Sequence, residues 1–296
     1  MTSPPPSGPR PAHPARSGPG TADSASSSTT DTTAVGDWWA TGISDIGPGS
    51  VRFHGYAIEE LIGAVTFPQM IWLMVRGDLP SPGQAHLLEQ TLVAAVDHGP
   101  QAPSIAAARM AASCGLPLNN AIATGVNLLG DVHGGAGQQC LELLYNLADS
   151  NQNPDNAARD LVASYKSRKA YIPGFGHRFH PRDPRRDPLI TAAEQAVAEG
   201  TIDGKYLKHA LALETALAPI PMNVDGATAT IYAELGFDPP LARGLFVLSR
   251  SVGLLAHAHE QSQDPTRIKG PLPKSILPTY TGPAPRPLLL QVDGEG

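Results

Sequence analysis

Between Thr66 and His259 glycine and proline cut the chain into apolar-periodic segments of helical spacing, and stretches that alternate apolar with polar residues are nearly absent. Thr66-Phe67-Pro68 opens one such segment, which runs through Met70, Ile71, Leu73 and Met74 to a stop at Gly77. Ser81-Pro82 opens the next, through Leu87, Leu88, Leu92 and Ala95, ending at His98-Gly99. Ser104 to Ser113 is alanine-rich with Gly115 as its stop, and Leu118 to Leu129 continues helically. A further run begins at Gly135 and carries Leu141, Leu143, Leu144 and Leu147 on one face. Asp155 to Lys169, Pro188 to Glu199, Tyr206 to Leu217, Asp225 to Leu235 and the long run Leu241 to His259 read the same way. The fold class is therefore all-α, and 296 residues suffice for one large or two modest domains.

The flanks differ. Residues 1–35 are Pro, Ser, Thr, Gly and Ala with almost no large apolar side chains, a composition that cannot offset the entropy of ordering. They read as a disordered tail. From Asp264 onward the chain is proline-rich and reads as an extended arm. A net charge of −6 argues against nucleic acid as partner. No apolar run reaches the roughly 20 residues of a membrane span, and the N-terminus lacks the apolar core of a secretory signal. Cys114 and Cys140 fall in apolar helical segments and read as buried thiols of a reducing compartment. A cytoplasmic location is the expectation.

Four segments carry polar residues that a packed helical protein does not need. They are Asp97-His98-Gly99, Gly130-Asp-Val-His-Gly-Gly-Ala136, Ile172-Pro-Gly-Phe-Gly-His-Arg-Phe-His-Pro-Arg-Asp-Pro-Arg-Arg186, and Asn223-Val-Asp-Gly226. Each sits at a helix boundary beside a glycine, where backbone donors are unpaired and anions are favoured. The third places four arginines and two histidines after a Pro-Gly-x-Gly turn. Arginines grip carboxylates and phosphates in two-pronged fashion, and histidine passes protons near neutral pH. Each segment also has a plain reading: His98 against helix C-terminal carbonyls, His133 in a simple turn, Asp225 as an N-cap, and the arginine loop as a solvated face. Their joint appearance points to a site. The pairs His177/His180 and His257/His259 lack a clear third ligand, so a metal is not expected. Walker and dinucleotide fingerprints are absent, and His133-Gly-Gly has no Gly-x-Ser-x-Gly partner.

Gly130 to Ala136, Pro173 to His177 and Asn223 to Asp225 match, in order and in residue type, motifs of the citrate synthase superfamily, and the chain resembles that superfamily from about Trp38 to Gly282. Asp97-His98-Gly99, Gly176-His177-Arg178 and Asn223-Val-Asp-Gly226 look closest to citryl-CoA lyase, including the citryl-CoA-cleaving module of ATP-citrate lyase. His133 and Tyr280-Thr-Gly-Pro283 are similar instead to citrate synthases, whose Arg-Pro-Arg is replaced here by Ser275-Ile276-Leu277.

The resemblance implies a two-domain helical fold, with a small domain at 135–236 inserted in a large one made of 36–134 and 237–296. It implies cleavage of citryl-CoA to acetyl-CoA and oxaloacetate or the reverse; the alternative is a citrate or 2-methylcitrate synthase that condenses an acyl-CoA and hydrolyses the thioester. Asp225 would be the base or returning acid, His133 would hydrogen-bond the thioester oxygen, and His177 would exchange a proton with the ketone oxygen. His98, Arg185 and Arg250 would bind the dicarboxylate, and Pro173, Gly174, Phe175 and Gly176 would pass close to coenzyme A. The resemblance also implies a homodimer and no metal or redox cofactor, coenzyme A entering only as a substrate thioester.

Overall fold

The computed structural model describes residues 37–273 and 275–288, so the tail read from residues 1–35 lies outside them. Among the described residues eleven α-helices follow a short turn of 3-10 helix, Asp37–Trp39, and a small sheet. The helices are α1 (Ile58–Leu61), α2 (Phe67–Arg76), α3 (Pro82–Ala95), α4 (Pro103–Ser113), α5 (Leu118–Val126), α6 (Ala136–Asp149), α7 (Pro154–Ser167), α8 (Arg186–Ala198), α9 (Lys205–Leu217), α10 (Val224–Glu234) and α11 (Pro239–Gln263). The fold is mostly helical, as the periodicity predicts. No described helix is long and apolar enough to cross a membrane.

The helix starts follow from local chemistry. Thr66 and Gln69 form a reciprocal capping box at α2, as do Ser81 and Gln84 at α3. Proline occupies the first turn of α2, α3, α4, α7 and α11, where its missing N–H costs nothing. Helix α3 ends at Ala95, short of the expected His98-Gly99, because the Asp97 carboxylate takes the Gly99 N–H at 3.0 Å and turns the chain.

A small sheet accompanies the helices. Strands β1 (Ser44–Gly47), β2 (Ser50–Phe53) and β3 (Tyr56–Ala57) form an antiparallel meander, with Gly47 opposite Ser50 and Phe53 opposite Tyr56. Strands of four, four and two residues are too short for a period-two pattern to stand out. The legible signal was the turn chemistry: His54 and Gly55 both take positive φ, +47° and +89°, as a tight two-residue hairpin turn requires.

Helix α10 is the axis of the molecule. Residues Gly226–Ala233 are buried, and α3, α6, α8 and α9 pack around them. Its two threonines there turn their hydroxyls back to helix carbonyls, Thr228 to Val224 O and Thr230 to Gly226 O, so neither hydroxyl needs a solvent face. The larger core joins Trp72, Leu88, Leu144, Leu213, Ile231, Phe237 and Leu245. A second cluster of Ile105, Ala108, Ala121, Leu254 and Ala258 joins α4, α5 and α11 at close quarters, as alanine permits. The two cysteines divide: Cys140 is buried in α6, whereas Cys114, at the C-cap of α4, is exposed. The expectation of two buried thiols is thereby corrected: Cys114, which follows the last residue of α4, lies outside the contact face that α4 buries.

Candidate active site

Backbone bonds stitch the arginine loop to the start of α10. Gly174 O accepts from Asn223 N at 3.0 Å, Gly176 N donates to Pro221 O at 2.8 Å, and Phe175 pairs with Met222 as an isolated bridge. The Asn223 side chain caps α10, accepting from Asp225 N and Gly226 N, while its amide donates to Gly176 O at 2.6 Å. The contact is too close for side chains. A Cβ at Gly174 would stand 2.7 Å from Cys140 Sγ, and one at Gly226 would stand 2.4 Å from Gly174 O. Gly174 also has φ +86°, open to glycine at little cost. The expected segment Pro173, Gly174, Phe175, Gly176 is thus a backbone ribbon laid directly on α10.

Asp183 locks this assembly. Its side chain is fully buried, accepts the Val224 N–H at 3.0 Å, and binds Arg185 Nε and Nη2 at 2.9 Å each. Burial alone would raise its pKa; the Arg185 bonds and the Val224 N–H overcome that and hold it down at about 2. Arg186 reinforces the same joint through Glu214, which also accepts the Met222 N–H at 2.9 Å.

His133 lies in the loop between α5 and α6. Its Nε2 accepts the backbone N–H of Ser104 at 3.2 Å, and the Ser104 hydroxyl stands 3.0 Å away. Ser104 is in the first turn of α4, where N–H groups lack helical partners. With Nε2 accepting, the neutral ring carries its proton on Nδ1. Burial first, then the charge of Arg250, lowers the His133 pKa.

His177 is arranged oppositely. Its Nδ1 accepts N–H groups of Phe179 and His180 at 3.1 and 3.2 Å, so the neutral ring donates through Nε2. His98 packs edge-on against it, centroids 5.5 Å apart, and is exposed. Both imidazoles are held below their ordinary pKa, chiefly by desolvation; Arg185 also bears on both, and Arg250 on His98. Arg250, in α11, is 5% exposed, donates through Nε to Ala95 O at 3.2 Å and lies over the Phe246 ring.

Asp225 stands second in α10. Burial pushes its pKa up, while Arg185 and Arg250 pull it back. The structure packs His98 against His177 and joins the ribbon ending at Gly176 to the start of α10, where Asp225 stands; Arg250 bears electrostatically on His98, His133 and Asp225, and Arg185 on His98, His177 and Asp225. Sequence reading missed Ser104 and the buried anchor Asp183. Ser104 was signalled only by its place just after a helix-opening proline, and Asp183 by an aspartate two residues ahead of an arginine at a helix start. Among the described residues no three His, Cys, Asp or Glu side chains group as metal ligands.

The pattern of the citrate synthase C-terminal domain matches residues 80–271, which takes in every one of these residues. The chain belongs to the citrate synthase family. Among curated relatives, citrate synthase of Haloferax volcanii is 30% identical over 204 residues, covering 66% of this chain and 52% of that protein. A 2-methylcitrate synthase of Mycobacterium tuberculosis is 32% identical over 195 residues, covering 64% of this chain and 48% of the relative. The chain thus spans about half the length of the curated relatives it matches. Among solved structures, citryl-CoA lyase from Hydrogenobacter thermophilus superposes with a TM-score of 0.76 at 32% identity, covering 85% of this chain and 97% of that one. Citrate synthase from Thermotoga maritima gives 0.61 at 25% identity, over 76% of this chain and 60% of its own.

Proposed function

We propose that the chain cleaves citryl-CoA to acetyl-CoA and oxaloacetate, or runs that reaction in reverse, as a citryl-CoA lyase-like enzyme. The observation that carries this reading is the Gly174–Gly176 ribbon hydrogen-bonded to Pro221 and Asn223 at the start of α10, which sets His177, packed against His98, next to the first turn of the helix that holds Asp225. In the condensing direction Asp225 removes a methyl proton from the thioester. A carboxylate alone is too weak a base for that carbon acid, so the forming enolate needs a donor at its oxygen. His133 offers Nδ1–H, its ring fixed from behind by Ser104. His177 offers Nε2–H to the ketone oxygen that becomes the citryl hydroxyl, and in cleavage it takes that proton back. His98, Arg185 and Arg250 hold the carboxylates, and Pro173 to Gly176 pass along coenzyme A. Closure of a small domain at 135–236 on the remainder, in a homodimer, would shut out water.

Support for lyase over synthase comes from the near end-to-end correspondence with the Hydrogenobacter lyase. The synthase reading is favoured by the curated relatives at 30–32% identity, which are citrate and 2-methylcitrate synthases. The deciding experiment follows oxaloacetate production from citryl-CoA and, separately, free thiol release from acetyl-CoA or propionyl-CoA with oxaloacetate. Rapid citryl-CoA cleavage without sustained thiol release is the expected result. Sustained thiol release establishes the synthase instead, and inactivity in both assays sinks the two readings together.

A further inference from the structure

The proposed chemistry leaves His257 without a task. It sits in α11 with 18% of its side chain exposed. Its Nδ1 accepts from Arg109 Nη1 at 3.1 Å, so its proton is on Nε2. Nε2 stands 3.3 Å from both Asp97 oxygens and donates to Oδ2. The same Oδ2 accepts the Gly99 N–H at 3.0 Å, folding the chain around His98. Arg109 is itself steadied by Glu260 at 3.3 Å. Asp97 Oδ1 is buried without a hydrogen bond, pressed toward α11 at Gly253, where a Cβ would stand 2.9 Å from it.

Each end of this relay reaches a helix that carries a site residue. Arg109 is on α4, whose first turn holds His133 through Ser104. His257 is on α11, two turns beyond Arg250. Asp97 directly precedes His98. Among the described residues Asp97 makes no salt bridge to a lysine or arginine; its carboxylate is held by His257 Nε2 and the Gly99 N–H, and His257 donates because Arg109 fixes its tautomer.

We infer that His257, backed by Arg109, is a positioning residue that orients Asp97 and so presents His98 to the dicarboxylate. The inference rests on the proposed reading of His98 as a substrate-binding group. It predicts an effect confined to one ligand: the turn at His98 faces the dicarboxylate, whereas the ribbon at Pro173 to Gly176 is anchored by Asn223 and Asp183 and has no part in the relay.

The test uses the full chain with His257→Ala and His257→Gln, the latter placing an amide N–H at similar reach. Oxaloacetate and coenzyme A affinities are measured by calorimetry, and amide hydrogen exchange is followed at Gly99. His257→Ala should weaken oxaloacetate about tenfold, leave coenzyme A unchanged and speed exchange at Gly99. His257→Gln should recover most of the loss. Wild-type oxaloacetate affinity in His257→Ala, equal weakening of both ligands, or a glutamine variant no better than alanine overturns the inference. Should the wild-type chain fail to bind oxaloacetate, the functional reading falls, and exchange at Gly99 alone decides the positioning: faster exchange in His257→Ala supports it, unchanged exchange overturns it.

Discussion

The backbone N–H of Ser104 donates to Nε2 of His133, so a helix N-terminus sets which imidazole nitrogen carries the proton. A proton transferred to that ring would face the positive end of α4 and the charge of Arg250. His133 is therefore a neutral donor rather than a cation. His98 and His177 are likewise kept from charging, mainly by desolvation. Protonation on acidification disrupts all three. We expect kcat/KM to fall on the acid side, as the three imidazoles, each held below its ordinary pKa, and the base Asp225, whose pKa burial raises, take up protons. A kcat/KM that rises as the pH is lowered below 7 would contradict this arrangement.

Asp225→Asn keeps the shape of the residue and removes the base. Turnover should drop by about a thousandfold or more, within the range of general-base contributions. Coenzyme A binding, measured by calorimetry, should change little. Near-normal turnover would reject Asp225 as the proton-transferring group.

Asp183 couples stability to acid. Its folded pKa of about 2 lies below the ordinary 3.8, so the stabilisation is fully present above about pH 4 and is lost as pH falls through 2. The difference corresponds to about 2 kcal/mol. Urea unfolding should show Asp183→Asn less stable at pH 7, with a flatter decline between pH 4 and 2. The same variant frees Arg185 and should weaken oxaloacetate binding about tenfold.

Gly174→Ala and Gly226→Ala test the contact between ribbon and helix. The new Cβ atoms would meet backbone, Gly226 Cα at 2.9 Å and Gly174 O at 2.4 Å. Backbone cannot yield as a side chain can, so each should cost roughly 1–3 kcal/mol in denaturant unfolding. Gly226→Ala should be the worse of the two for activity, since Asp225 is its neighbour. Wild-type stability in both would refute the close packing.

The thiols should separate cleanly. Cys114 is exposed, while burial pushes Cys140 up to about 12, with Asp225 adding to the shift. Ellman's reagent should label one thiol per native chain and two after denaturation. Rapid labelling of both in the native protein would place Cys140 wrongly.

Order and kind of element were legible in the chain because helices obey local rules. Thr66 with Gln69, Ser81 with Gln84, the first-turn prolines and the 3.6-residue apolar spacing act within a few residues of each other, and the boundaries they set agree with the structure to within a turn. The short sheet was hidden because its stability is in backbone pairing across the His54-Gly55 turn, not in a side-chain pattern. The motifs around His98, His133, Arg185 and Asp225 stood out as polar groups at helix ends. What only the tertiary structure decided is how those groups are held. Asp183 reaches across 41 residues to the Val224 N–H, His133 across 29 to Ser104, and His257 across 160 to Asp97. Proton positions and carboxylate strength depend on partners brought close by burial, and a linear pattern carries no record of which distant donor will arrive.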